Sequence, residues 1–304
     1  MGTSAGGASR LPDLRRALAK KIALFVGSAE KRVTDIPGLA LVCRTKVDSP
    51  TCMTYEPSIA VIAQGRKQVE LGKTTFACDE SRFLLTSLDL PIVSQVLGAS
   101  TQRPFIGLAL KLEIAMVREV LSRDETPLAS SSDSPAMAVG ETTAELLDAC
   151  SRLVDLLESP QDIPVLSGLI QREIVYRILR SGEGARLRAI ATLGDQSQRT
   201  AKAIAWLRSN YSKPLRVDEL AQVAGMGVST LHHHFRALTE MSPLQYQKQL
   251  RLQAARGRML LDGLDAASAA FEVGYESASQ FNREYSRFFG QPPMRDVRSH
   301  RVGA

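Results

Sequence analysis

The stretch LRVDELAQVAGMGVSTLHHHFRALTEMSP at residues 215–243 can be laid over a second, LDAASAAFEVGYESASQFNREYSRFFGQPP, at 264–293. Ala221 and Gly225 fall on Ala270 and Gly274, and Leu231, Phe235 and Pro243 fall on Phe281, Tyr285 and Pro293, the second copy having one extra residue in its turn. In each copy a short first helix carries an Ala where a partner helix must approach closely. A Gly then ends that helix, the residue for which a left-handed backbone costs least. The second helix starts beside a hydroxyl suited to capping, Ser229 or Ser277. It buries a narrow stripe, Leu231, Phe235 and Leu238 in one copy and Phe281, Tyr285 and Phe288 in the other, and leaves its remaining faces polar. A short polar helix held on a small three-helix core is the device that enters a DNA major groove. Residues 217–239 and 265–289 therefore read as two helix-turn-helix units.

Between the copies, residues 243–261 form one long helix with few breakers, carrying Arg251, Arg256 and Arg258. A rigid spacer of this kind predicts recognition helices in successive major grooves, about 34 Å apart. On the first recognition helix Ser229, Thr230, His232, His233 and Arg236 face solvent, and on the second Ser279, Gln280, Asn282 and Arg283 do. Gln280 and Asn282 suit adenine, Arg283 suits guanine, and Arg287, a turn later, suits a phosphate. Lys213, Arg216, Lys248, Arg251, Arg295 and Arg298 are further candidates for the DNA backbone. The run His232-His233-His234 invites a metal reading, but neighbouring helix residues point about 100° apart, so three in a row do not converge on one ion. No metal is expected there; His234, beside Phe235, is expected to be partly packed. Trp206 sits with Ile204 and Leu207 on the helix that opens this region and is expected to pack rather than to stack on bases.

The charge distribution agrees. Of 304 residues, 38 are Lys or Arg and 32 Asp or Glu, a formal charge of +6. Residues 1–195 hold 23 of each sign, whereas residues 196–304 hold 15 basic and nine acidic side chains, so the whole excess lies with the repeat. A neutral part followed by a basic one suggests a polyanion for the second. With 44% apolar and 23% charged residues the composition is that of a globular protein. No apolar run approaches the roughly 18 to 20 residues that cross a bilayer, and residues 1–10 lack the make-up of a signal peptide. Four cysteines in a chain this long do not make a disulfide framework, and a reducing cytoplasm is the expected setting.

Upstream the texture differs. Residues 11–25 have helical periodicity, and residues 38–112 show short β-prone runs at 39–44, 59–64, 67–71, 83–87, 92–96 and 105–112, broken by Gly65-Arg66 and Gly72-Lys73 turns. Such spacing suggests a barrel or sandwich. A helix at 113–121 leaves it, 122–140 is a polar loop with Pro127, Ser130 to Ser132, Ser134 and Pro135, and 141–157 and 165–179 form a helical pair. The expected architecture is α+β and multidomain: a β-barrel with added helices over 1–195, then an all-α domain over 196–304.

The C-terminal region resembles the AraC/XylS family of bacterial transcription regulators, on Val273-Gly274-Tyr275 and Phe289-Gly290-Gln291-Pro292-Pro293. The N-terminal half, SIAVIAQGRKQVELG at 58–72 through LLTSLDLPIVSQV at 84–96, is similar to an AraC-type N-terminal domain. The resemblance implies a cupin-like barrel as sensor, with Ser229, His232 and His233 as base readers and backbone contacts around Arg236. It implies double-stranded promoter DNA, a small-molecule effector, RNA polymerase and a second copy of the chain as partners. The faces Leu146, Leu153, Leu157 and Leu169, Ile174, Ile178 are the candidates for a dimer surface, or else cap the barrel.

An enzyme is not expected. Metal cupins use His ligands, and residues 1–231 contain no His; no nucleophile elbow, Walker loop or dinucleotide fingerprint is present either. No cofactor is expected. For the sensor, Arg66, Lys67, Arg82 and Arg103 can favour an anion, although exposed hairpin residues are commonly just solvated. Cys43, Cys52 and Cys78 are candidates for sensing oxidants or electrophiles, although free cysteines are often small core residues. The alternative is a DNA-binding module without a ligand, set by its abundance or by a protein partner.

Overall fold

In the computed structural model, which describes residues 5–47, 49–123 and 135–302, the chain opens with helix α1 (Ala5–Val26). Nine strands follow: β1 (Lys31–Val33), β2 (Leu39–Arg44), β3 (Thr51–Tyr55), β4 (Ser58–Gln64), β5 (Arg66–Leu71), β6 (Thr74–Asp79), β7 (Arg82–Thr86), β8 (Leu90–Leu97) and β9 (Phe105–Lys111). After α2 (Ile114–Leu121), strand β10 (Met137–Glu141) returns to the sheet. Then come α3 (Ala144–Asp155), α4 (Ile163–Leu179) and α5 (Gly184–Ala191).

The strands are antiparallel and lie in two sheets, one ordered β1-β2-β9-β4-β7-β10 and one ordered β3-β8-β5-β6. They remain open rather than closing into the expected barrel. Sandwiches and barrels share short alternating strands; closure is decided by hydrogen bonds between edge strands, which spacing does not specify. Four strands depart from the sequence reading. β1, β3 and β6 were not anticipated, being short or polar. β10 falls in the stretch expected to be a loop, where it pairs with β7 from Met137↔Thr86 to Glu141↔Arg82. Pro127, Ser130 to Ser132 and Ser134 of that stretch lie outside the described residues.

Alternation along the larger sheet splits its side chains between two cores. Leu39 and Leu41, Ile59 and Val61, Phe83 and Leu85 face α1, α3 and α4, where they meet Leu18, Ile22, Leu153 and Ile178. The opposite face carries Ala40, Ala60, Gly107 and Ala109 among its residues, and these small groups leave the space between the sheets unfilled.

The helical pair behaves differently from a free dimer surface. Leu146, Leu153, Ile174 and Ile178 are buried in the core and Leu157 packs against it, so of the six apolar positions only Leu169 stays exposed. The exposed apolar stripe of α4 is instead Val165, Leu166, Leu169 and Tyr176.

The last third is α6 (Gln196–Asn210), α7 (Val217–Ala224), α8 (Val228–Thr239), α9 (Pro243–Gly257), α10 (Ala266–Glu272), α11 (Ala278–Phe289) and α12 (Pro293–Val302). α9 continues through a π-helical turn, Arg258–Asp262, and stops at Gly263 (φ 74°), which agrees with the long helix expected between the copies. Its start carries a reciprocal cap: Ser242 Oγ accepts from the Gln245 N–H at 3.2 Å, and Gln245 Oε1 accepts from the Ser242 N–H at 3.0 Å. No helix among the described residues is long and apolar enough to cross a membrane.

Candidate nucleic-acid interface and inter-sheet cavity

Each helix-turn-helix copy is built as its sequence requires. Gly225 ends α7 in the left-handed region (φ 64°), and Gly274 turns after α10 at φ 91°. Leu231, Phe235 and Leu238 are buried under α8, as are Phe281 and Tyr285 under α11, with Phe288 half-buried. Ser277 caps α11, its side chain accepting from the Gln280 N–H at 3.3 Å. Ser229 does not cap α8; Gly227 occupies that position and Ser229 lies within the first turn. With Leu231 laid on Phe281, the residue equivalent to Ser277 is Gly227, and Ser229 lies two positions further on.

These stripes leave the candidate readers outward. Ser229, His232 and His233 on α8, and Ser279, Gln280, Asn282 and Arg283 on α11, are exposed, while His234 is half-buried. Gln280 is partly engaged, its Nε2 donating to Glu284 at 3.3 Å. Arg236, Arg287, Lys213, Arg216, Arg295 and Arg298 are also exposed. Lys248 is paired with Glu284 at 3.0 Å, and Arg216 with Glu219 at 3.4 Å.

Arg251 is the exception. Its Nε donates to Tyr211 O at 2.7 Å, Nη1 to Gly274 O at 2.9 Å, and Nη2 to Lys213 O at 2.9 Å and Ser212 O at 3.3 Å. The guanidinium therefore ties the linker helix to the turn of the second copy and to the loop before the first. Four of its five N–H donors go to carbonyls, so it serves the joint first and is set apart from the phosphate candidates. Gly274 completes the joint: a Cβ there would sit 1.9 Å from Ser212 O.

The second copy has its own core, with Phe281, Tyr285, Tyr275 and Val297 around Ala269 and Ala270. Beneath it the Tyr285 hydroxyl donates to buried Asp296 at 2.7 Å, which also accepts from Arg256 at 2.8 and 3.0 Å. The first copy shares its core with the N-terminal domain instead. Leu231, Phe235, Leu238 and Tyr246 belong to one cluster with Val69, Leu71 and Leu90 of the small sheet, and Ile204 and Leu207 of α6 join it with Trp206 packed alongside, as expected for that residue.

Polar contacts fix the same junction. Tyr246 on α9 donates to Asp89 O at 2.6 Å, and Arg208 on α6 bonds Asp89 and, at 3.3 Å, Glu56. Thr54 on β3 donates to Gln253 on α9 at 2.6 Å. At the end of α8, Leu238 O accepts from the Ala136 N–H at 2.9 Å. Glu240 then adopts a left-handed conformation (φ 59°), and its Oε2 accepts from the N–H groups of Lys73 and Thr74 at 3.0 and 3.1 Å. No sequence signal marked Glu240; an acidic residue where the other copy has Gly290 was the available clue.

Between the sheets lies a cavity of about 350 Å³, lined by Ala40, Met53, Ile62, Val96 and Phe105 and by the polar groups of Tyr55, Lys67 and Ser94. Of the four basic residues considered for an anion, Arg66, Arg82 and Arg103 are exposed and only Lys67 is buried. The cysteines sit elsewhere on the reactivity scale. Burial pushes Cys52 and Cys78 up to about 11 and Cys150 to about 12, and raises Cys43 as well. The thiolate is the nucleophile, so these environments suppress the form that would sense electrophiles.

The model of the AraC-type transcriptional regulator N-terminus matches residues 35–186, half of the chain, and a helix-turn-helix domain model matches residues 220–299. The chain belongs to the AraC/XylS family. Among curated relatives of this family member, the transcriptional regulator ArgR of Pseudomonas aeruginosa is 28% identical over 140 residues, 46% of this chain and 43% of ArgR. The transcriptional activator RhaS of Yersinia pestis is 32% identical over 105 residues, 34% of this chain and 38% of RhaS. The matches thus span less than half the length of these relatives. In fold, the chain is similar to apo ToxT from Vibrio cholerae, with a TM-score of 0.56, 10% identity, and coverage of 85% of this chain and 96% of ToxT.

Proposed function

We propose that this AraC-family chain is a sequence-specific regulator of transcription that binds double-stranded promoter DNA through both helix-turn-helix copies. The observation that carries the reading is the tandem pair of exposed polar faces, Ser229, His232 and His233 on α8 and Ser279, Gln280, Asn282 and Arg283 on α11, each held on a buried apolar stripe. With Arg251 and Gly274 fixing the joint between copies, the two helices enter successive major grooves, and Arg236, Arg287, Lys213, Arg216, Arg295 and Arg298 supply salt-dependent phosphate contacts. His233→Ala is expected to cost about 1–3 kcal/mol at the true site and to relax preference at particular base pairs. Genome-wide mapping of bound sites supplies that site, and equal losses on specific and random DNA would remove His233 as a base reader.

The sensor acts by binding, not by catalysis, and its effector occupies the cavity between the sheets. One solved ToxT structure holds an unsaturated fatty acid, which supports a small-molecule effector for this chain too. Non-covalent binding is favoured over cysteine modification because burial raises all four thiols. The regulator works in the cytoplasm as a homodimer that engages RNA polymerase, with the exposed stripe Val165, Leu166, Leu169 and Tyr176 of α4 as the dimer surface. Sedimentation of the full chain tests this: Leu169→Glu is expected to shift it to monomer.

A further inference from the structure

Lys67 is 9% exposed, yet among the described residues no acidic side chain pairs with it. Its Nζ lies 3.4 Å from the Tyr55 hydroxyl and 5.2 Å from the centre of the Tyr55 ring. Burying a charge without a counter-ion is costly, and a ring face replaces a counter-ion only in part. An ammonium has three N–H donors, and Tyr55 engages one of them. The Tyr55 hydroxyl in turn donates to Ser94 Oγ at 3.1 Å, which leaves the Ser94 proton free to turn into the cavity. Burial alone would raise the Tyr55 phenol, but Lys67 and the two hydrogen bonds outweigh it and the net shift is downward, which strengthens Tyr55 as a donor.

The rest of the lining has the same sign. Besides Lys67 the lining carries Lys31 and Lys111, and its acidic residue among the described ones, Glu56, is already shared between Lys111 at 3.2 Å and Arg208 at 3.3 Å. The remaining walls are largely apolar. At about 30 Å³ per water, a volume of about 350 Å³ corresponds to roughly a dozen non-hydrogen atoms.

We propose that the cavity takes a small organic monoanion of roughly a dozen non-hydrogen atoms, its carboxylate or equivalent head on Lys67 and Ser94 and its apolar body along Met53, Ile62, Val96 and Phe105. The proposal rests on the sensor being an effector-binding domain and names the class of that effector. It also names the route outward. Lys67 lies on β5, and the same strand ends at Leu71, beside the Gly72 turn whose next two N–H groups hold Glu240 at the end of the first recognition helix.

The test uses the full-length protein with 4-phenylbutyrate and octanoate, each beside its primary amide, read by thermal shift and by calorimetric affinity. Both acids are expected to stabilise the wild type and to bind about tenfold or more tighter than their amides, the factor a charge-assisted hydrogen bond supplies. Lys67→Met should abolish the preference for acid over amide while the unliganded variant melts no lower than wild type, since it loses an unpaired buried charge. Lys67→Arg should keep the preference. Equal affinity for acid and amide overturns the anion class but leaves an effector cavity in place. Acid binding that persists in Lys67→Met places the anion elsewhere and overturns the proposal. Absence of binding by either class overturns it too, and if a small-molecule cell extract then fails to shift the melting point, the effector reading falls with it.

Discussion

The two recognition helices end at equivalent positions in different residues, Glu240 in the first copy and Gly290 in the second, and both adopt a left-handed backbone (φ 59° and 79°). For glycine that conformation is free; for glutamate it costs about 1–2 kcal/mol. Nothing lies within 4 Å of where a Cβ of Gly290 would stand, whereas the Glu240 carboxylate accepts two backbone N–H groups from the β5–β6 turn. The strained residue is retained in the copy that touches the sensor. The same contrast holds for the cores, since Phe235 packs in a cluster shared with the small sheet and Phe281 in one shared with Leu252, Ala255 and Met259 of the linker helix. One repeat unit thus serves two roles. The first copy shares its core with the small sheet, and the second packs on the linker helix.

The largest expected effect probes the cores. Phe235→Ala and Phe281→Ala each remove a fully buried ring at about 3–5 kcal/mol. Only Phe235→Ala should also lower hydrogen-exchange protection in β5 and β8, and loss of sensor protection in Phe281→Ala would break the asymmetry. Next comes Gly274→Ala, expected to cost about 2–4 kcal/mol because its Cβ overlaps Ser212 O at φ 91°. Gly225→Ala has open space and should cost only the left-handed penalty of about 1–2 kcal/mol. Chemical denaturation separates the two. Glu240→Ala keeps the strain and loses the clasp, about 1–3 kcal/mol, whereas Glu240→Gly loses the clasp but relieves the strain and should fall within about 1 kcal/mol of wild type. Both variants should weaken the effect of a ligand on DNA affinity, and a full response in Glu240→Gly would remove the clasp from the signalling route.

The smallest effect is on acid stability. Burial pushes the Glu284 carboxyl up, but hydrogen bonds from Lys248, Tyr275 and Gln280 outweigh it and hold it below its ordinary value. Its contribution is therefore complete above the ordinary carboxylate pKa of about 4.3 and is lost as pH falls through the lower native value. Glu56, lowered by Lys111 and Arg208 against its own burial, titrates the sensor junction in the same direction, but at 44% side-chain exposure it is screened by salt. Acid titration with Glu284→Gln should flatten the profile of the second copy without moving that of the sensor.

The helix-turn-helix pair was legible because its determinants are local: the stripe spacing, Gly225, Gly274 and the Ser277 cap act within one or two turns of chain. Strand β6 carries β-prone Thr74, Thr75 and Phe76 but no clear apolar alternation, and β5 pairs with all six of its residues. β10 was hidden for the same reason, its partner β7 lying some fifty residues earlier. Arg251 looked like a phosphate ligand because a basic residue on the linker helix shows no partner of its own in the sequence; its partners come from Tyr211, Ser212 and Lys213 before the first copy and from Gly274 in the second. Likewise Lys67 was indistinguishable from Arg66, Arg82 and Arg103 until the opposing sheet covered it.

Periodicity, turn residues and the charge of the last third determined by themselves that this chain ends in two helix-turn-helix units after a β-rich domain, since each of these acts over a few residues. The tertiary structure alone decided that the sheets stay open, that the cavity between them buries one lysine, and that the first copy shares its core with the small sheet while the second packs on the linker helix. Those outcomes depend on which edges pair and which surfaces meet across more than a hundred residues, and the free energy of such contacts belongs to no single segment.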